Sequence, residues 1–267
     1  MRKPGKYIIS NTEYHADKDY YSSSILKEAL VSPAHFKYYV LQGHKEQAES
    51  RAKLIGTLVH TVLLEPHLFD EQFIIYEGDT NKDDSIPAKE LKLLIDKHGD
   101  SKDFISKAEY QFAMQARANT LAYPDAAKYV FSPDGESEPS FFGICQETGL
   151  PLKFRPDRID VVQKFMCDPK TAMSADRNTF KKVIKYDRHY DLSAYMYLKQ
   201  AYEHFGFEFD WFWHVIGKEK MCPIAVYKAS KQTLEDGKEK FFRACDNIKT
   251  ALAMPDLVLF QNKLEVI

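Results

Sequence analysis

The stretch from Lys153 to Ala175 constrains the chain most, because it places two acidic residues and a lysine on apolar segments that must lie side by side. The segments Pro151–Val162 and Lys164–Thr171 are rich in Val, Ile, Phe and Met and read as neighbouring strands of a hairpin. Residues i and i+2 of a strand share a face, so Asp168 and Lys170 project together while the Pro169 carbonyl turns another way. Asp157 comes from the paired strand. Carboxylate, carbonyl and water oxygens are the ligands of a hard cation such as Mg²⁺, so the hairpin reads as a metal site.

Length and composition set outer bounds. The chain has 267 residues, 44% hydrophobic and 28% charged, ordinary values for a globular α/β protein able to bury a large core. No apolar run approaches the roughly 20 residues that span a bilayer, and the basic N-terminus lacks an apolar leader segment, so the expectation is a soluble cytoplasmic protein with no membrane partner. Cys145, Cys167, Cys222 and Cys245 are widely separated, which suggests buried free thiols rather than a zinc ribbon or disulfide framework. A net charge of -2 excludes a uniformly basic nucleic-acid binder but leaves room for a segregated basic face.

Along the chain, residues 1–21 read as an extended polar lead-in. Ser22-Ser23-Ser24 and Ser32-Pro33 supply caps for two short helices. Gln47 to Leu64 carries a helical apolar stripe, with His60 on it and Gly56 one turn earlier. Taken alone, such a histidine is more often a hydrogen-bonded core residue than a ligand. A short strand at Gln72–Tyr76 precedes an acidic loop without calcium-loop spacing, then helices near 87–97 and 104–121. Strands follow near Glu138–Gln146, Pro151–Val162 and Lys164–Thr171, then a basic cluster of Lys181, Lys182, Lys185 and Arg188. A helix at Tyr190–Phe205, a hairpin from Phe207 to Ala229 and a helix from Lys231 to Met254 complete the chain. One α/β domain over 1–267 is expected, with a helical part to about 130 and an α/β core after about 131.

Taken in order, Gly56-Thr57-Leu58-Val59-His60, Glu138, Arg155-Pro156-Asp157-Arg158 and Asp168-Pro169-Lys170-Thr171 resemble the motif set of the PD-(D/E)xK nucleases. Within that superfamily they are most similar to the exonuclease VIII (RecE-type) domain of phage and prophage recombination systems. An N-terminal Ser-x-x-x-Lys and Ser32-Pro33-Ala34-His35-Phe36 extend the resemblance over nearly the whole chain. It implies a restriction-endonuclease-like central mixed β-sheet flanked by helices, with additional N-terminal helices. It also implies that His60, Asp157, Asp168 and the Pro169 carbonyl hold Mg²⁺, with Mn²⁺ as the alternative ion, while Lys170 orients and helps deprotonate the attacking water. With those positions pointing to a metal, His60 becomes a ligand. Glu138 is either a further acidic member of the site or a surface strand residue.

The reaction implied is removal of one strand from linear duplex DNA ends, 5′ to 3′, leaving 3′ tails for a single-strand annealing protein in a bacterial or phage-derived system. A homo-oligomeric ring, trimer or tetramer, goes with it. Candidate DNA contacts are Ser24, Lys27, Arg155, Arg158, Thr171, Lys181, Lys182, Lys185, Ser193 and Tyr197. Related nucleases carry Gln-x-x-x-Tyr where this chain has Ser193-Ala194-Tyr195-Met196-Tyr197; Tyr197 matches, and Ser193 is too short to reach as far as glutamine. The competing enzyme reading is a Cas4-like or RecB-like nuclease with an iron–sulfur cluster, against which the cysteine spacing argues. The competing non-enzyme reading is a silent DNA-binding module with a nuclease fold, which would typically have lost a ligand or the lysine.

Overall fold

Proline placement decides how the strands divide in the computed structural model, which describes residues 1–44, 51–99 and 101–254. Before the central strands come β1 (Gly5–Tyr7), α1 (Asn11–Ala16), α2 (Ser23–Val31), α3 (Pro33–Phe36), α4 (Arg51–Leu64), α5 (Phe69–Gln72), β2 (Phe73–Tyr76), α6 (Ala88–His98), β3 (Asp103–Ser106), α7 (Lys107–Ala122) and α8 (Pro124–Val130). Then follow β4 (Gly135–Ser137), β5 (Ser140–Ile144), β6 (Pro151–Phe154), β7 (Arg158–Asp160), β8 (Phe165–Ala172), α9 (Arg177–Lys182), α10 (Tyr190–Phe205), β9 (Asp210–Gly217), β10 (Ile224–Lys228) and α11 (Lys231–Ala253).

The expected central mixed sheet has the order β10-β9-β8-β7-β4, with β8 and β9 parallel and the other pairs antiparallel. A second sheet, β1-β5-β6, is antiparallel, and β2 pairs with β3 in a third. Strand alternation sorts the core. Phe165 and Cys167 of β8 join Leu58 and Val62 of α4 and Ala113 of α7, while Met166 joins Trp211, Trp213 and Phe180 on the other face. A further cluster joins α2, α10 and α11 through Leu26, Met196 and Phe241. Each such large side chain contributes about 1.5–3 kcal/mol on burial. Among the described residues no helix is long and apolar enough to cross a membrane.

Several expectations are corrected. Residues 1–21 are not a simple lead-in: β1 joins a sheet, and α1 is set by a Ser10/Glu13 capping box. Pro151–Val162 is two strands in two different sheets, broken at Arg155-Pro156-Asp157, because proline cannot donate to a ladder. Glu138–Gln146 shrinks to β5 for the same reason, since Pro139 follows Glu138. Phe104-Ile105-Ser106 is a strand, and helix α7 starts only at Lys107, where Ser106 and Glu109 form a second capping box. Helix α8 is an additional element beyond the helix expected over 104–121, with Pro124 at its first position. Ser22 makes no cap bond to α2 and pairs with the Ser24 hydroxyl at 2.8 Å, whereas Ser32 caps α3 through the His35 amide as expected. Of the helix expected over 47–64, the part before Arg51 lies outside the described residues.

Candidate active site

Strands β4 and β7 lie in the central sheet, and their continuations β5 and β6 lie in the second sheet. One bent hairpin therefore crosses a seam between sheets. At the seam stand Glu138-Pro139 on one limb and Arg155-Pro156-Asp157 on the other, tied by the Glu138 N–H donating to the Asp157 carbonyl at 3.3 Å. Glu138 takes a left-handed backbone conformation, φ 56°, which for a residue with a Cβ costs about 1–3 kcal/mol. The bend turns both carboxylates out of the ladder toward α4.

Helix α4 brings His60 between them. Its Nε2 lies 3.0 Å from Asp157 Oδ2 and its Nδ1 3.4 Å from Glu138 Oε1. Gly56 lies against β8, where a Cβ would stand at an ordinary contact distance of 3.7 Å from Thr171 Oγ1. On β8, Asp168 and Lys170 share a face as expected, the one packed against Trp213 and Val215 of β9. The Lys170 ammonium contacts Asp168 Oδ1, lies 3.3 Å from Asp157 Oδ2 and donates to the Pro169 carbonyl at 3.2 Å.

Among the described residues, His60, Glu138 and Asp157 form a group whose ligand atoms all lie within 4.8 Å of one another. One imidazole nitrogen and two carboxylates suit a hard divalent cation. Asp168 stands outside that group, hydrogen-bonded to Asp157 and held by Lys170.

The charges are strongly coupled. Burial pushes the Asp157 carboxyl up, but Lys170 and His60 outweigh it and hold the group well below the usual range. Burial and the neighbouring Asp157 push Asp168 up to about 8, against the pull of Lys170. Glu138 rises to about 7, through burial first and Asp157 second. Burial lowers the His60 pKa, yet Asp157 and Glu138 raise it to about 9. For Lys170, burial is likewise outweighed by Asp157 and Asp168, which raise it well above its ordinary value.

The remaining candidates divide. Lys27 reaches this side of the site: its ammonium lies 5.0 Å from the Tyr190 ring centroid, and burial, then repulsion from Lys170, pushes it down to about 8. Ser24 is exposed nearby on α2, while Tyr197 of α10 is hydrogen-bonded to Ser23 and Ser193 is buried. Lys181 and Lys182 are exposed, whereas Lys185 pairs with Asp236 at 2.7 Å. Arg155 and Arg158 are hydrogen-bonded within the protein. Arg155 is buried among Ser140, Asn11 and the carbonyls of Ile9 and Ser10, and Arg158 binds Ser137 Oγ and the Ser132 carbonyl. A site residue missed in the sequence is Tyr190, whose ring lies 5.5 Å from the Lys170 ammonium as well as beside Lys27. Its place at the first position of an aromatic helix gave no distinguishing signal. The cysteines are free and buried, Cys145 and Cys245 in one apolar cluster and Cys167 and Cys222 in another, so they do not converge on a four-thiolate site.

A sequence profile of the PDDEXK-like domain of unknown function (DUF3799) matches residues 22–255. The chain belongs to this PDDEXK-like family. A solved structure from Eubacterium rectale, described as that of a candidate exonuclease, aligns with a TM-score of 0.62 at 16% identity, covering 91% of this chain and 88% of its own. That likeness is one of fold. A second solved structure, SSO0001, covers 76% of this chain and 96% of its own at 14% identity, but its TM-score of 0.29 is too low to argue from. No curated protein matches the sequence. Within the PDDEXK-like match lie His60, Glu138, Asp157, Asp168 and Lys170, each on the element described above.

Proposed function

We propose that this chain is a divalent-metal-dependent exodeoxyribonuclease that hydrolyses one strand of linear duplex DNA from its end, 5′ to 3′, leaving 3′ single strands for a single-strand annealing protein. The observation that carries the reading is the Lys170 ammonium lying against Asp157 and Asp168, beside the His60, Glu138 and Asp157 ligand group. A silent DNA-binding module has no use for that complete set. The name of the Eubacterium rectale neighbour supports the exonuclease reading.

His60, Glu138 and Asp157 would hold Mg²⁺ or Mn²⁺, with Asp168 and the Pro169 carbonyl adjoining. When bound, the ion neutralises phosphate charge and lowers the pKa of water. Lys170 stabilises the developing hydroxide electrostatically and orients it for attack. Lys27, with Ser24 near it, offers an ammonium to a substrate phosphate. Lys181 and Lys182 extend a basic path on the exposed side of α9, and a ring of three or four copies would keep the duplex engaged.

The test is digestion of end-labelled linear and closed circular duplex DNA with and without Mg²⁺ or Mn²⁺. The expected result is metal-dependent release of nucleotides from 5′ ends of linear DNA only. Lys170→Ala and Asp168→Ala should each lower the rate at least about 100-fold. Undiminished digestion by both variants sinks the reading, and cleavage of circular DNA replaces exonuclease with endonuclease.

A further inference from the structure

Arg155 is buried and sits two residues before a metal-ligand candidate. Its guanidinium is fixed from several sides. The Nε donates to Ser140 Oγ at 2.8 Å, Nη1 to Asn11 Oδ1 at 3.3 Å, and Nη2 to the Ile9 and Ser10 carbonyls at 3.0 and 3.2 Å. The Tyr14 ring lies 4.4 Å from its central carbon. All of these except Ser140 belong to the N-terminal arm. The same arm is anchored by Lys153, which donates to the Tyr14 and Asp17 carbonyls at 2.5 Å, and by β1 on the edge of β5.

The Nε side of this clamp lies toward the site. Glu138 Oε2 lies 4.0 Å from Arg155 Nε, while Oε1 of the same carboxylate faces His60. Glu138 sits in a strained left-handed conformation that its own backbone preference does not hold, so something outside it must. The arm lies before residue 22, where the family match begins.

We propose that residues 9–14 and Arg155 form a brace that positions Glu138 for metal binding, so that docking of the N-terminal arm and occupancy of the metal site favour one another. Arg155 is a positioning residue in this scheme, and the scheme rests on the metal-dependent reading above. The coupling is reciprocal: an ion that fixes Glu138 stabilises the docked arm, and a docked arm tightens the ion.

The experiment uses the full chain with Mn²⁺ alone as the probe. Mn²⁺ affinity is measured by calorimetry, and amide hydrogen exchange is followed over residues 9–17. In the wild type, Mn²⁺ should slow exchange in that segment. Arg155→Lys keeps the charge but loses the planar fork; it should weaken Mn²⁺ about tenfold, as loss of a ligand's supporting partner does, and abolish the Mn²⁺-dependent slowing. Asn11→Ala, at an exposed position that a foldable variant tolerates, should weaken Mn²⁺ by about threefold through one lost hydrogen bond. If Mn²⁺ binds but the arm's exchange does not change, or both variants bind it as the wild type does, the brace is refuted and the nuclease reading stands. If the wild type binds no Mn²⁺, both fall together.

Discussion

At the scale of single residues, His60 stands between Asp157 and Glu138, whose charges favour its protonated form, and an ion bound to it would take the place of that proton. Because its pKa is raised to about 9, the proton is present throughout the neutral range. Mn²⁺ affinity should therefore rise with pH between about 6 and 9, by up to about tenfold per unit for each proton released. Calorimetry in buffers of different ionisation enthalpy would read the protons released by His60 together with any from Glu138 and Asp168, which are raised to about 7 and 8; a buffer-independent heat would count against His60 as a ligand. His214 gives the opposite case. Buried on β9 with Nε2 at 2.9 Å from Thr120 Oγ1, it is pushed down to about 4 by burial alone. The unfolded chain takes up this proton near its ordinary 6.5 and the folded one only near 4, so the stability is present above 6.5 and lost as pH falls to 4. The loss is on the order of 3 kcal/mol. Denaturant midpoints across that range should fall in the wild type and less steeply in His214→Gln, and parallel curves would refute the assignment.

Among elements, the close crossing of α10 and α11 depends on one glycine. A Cβ at Gly237 would stand 2.2 Å from the Asp191 carbonyl oxygen, a backbone atom that cannot swing aside. Gly237→Ala, which in an open helix would gain about 1 kcal/mol, should here cost about 1–3 kcal/mol and shift the start of α10, where Tyr190 faces Lys27 and Lys170. Equilibrium urea unfolding would show the sign; a stabilised variant would mean that the helices part freely. The same elements show what a sequence discloses. Helix α10 and the β9–β10 hairpin follow from strong periodicity and clear turns. The site strand β8 does too, because alternation alone puts Asp168 and Lys170 on one face. The seam was hidden, since Pro139 and Pro156 interrupt otherwise continuous strand patterns, and a proline announces a break but not a change of sheet. Likewise β3 merged into α7 because its four residues are too few to show a period, and only the Ser106/Glu109 capping box marks the boundary.

Across the whole molecule, distant parts of the chain interlock. The arm supplies β1 to the β5 edge, α2 packs on α11, and α4 carries His60 to the hairpin bend. Unfolding should accordingly be one transition: fluorescence of Trp211 and Trp213, both buried on β9, should change together with far-ultraviolet circular dichroism in urea. Separate midpoints would show that the N-terminal half yields first. That His60 must come from α4, 97 positions before Asp157, was legible only through the motif order, because no local pattern links a helix to a strand so far along the chain. The seam itself carries one more implication. Since Glu138 and Asp157 leave the backbone where two sheets meet, the opening between them works like the jaws of tongs, set at the pivot rather than at the tips. Mg²⁺ asks for oxygens at about 2.0–2.1 Å and Ca²⁺ at about 2.3–2.6 Å. For an ion held by His60, Glu138 and Asp157, the choice between them would be open to adjustment by apolar residues at the crease, such as Phe141 stacked on Phe154 with ring centres 4.7 Å apart, with those three side chains unchanged.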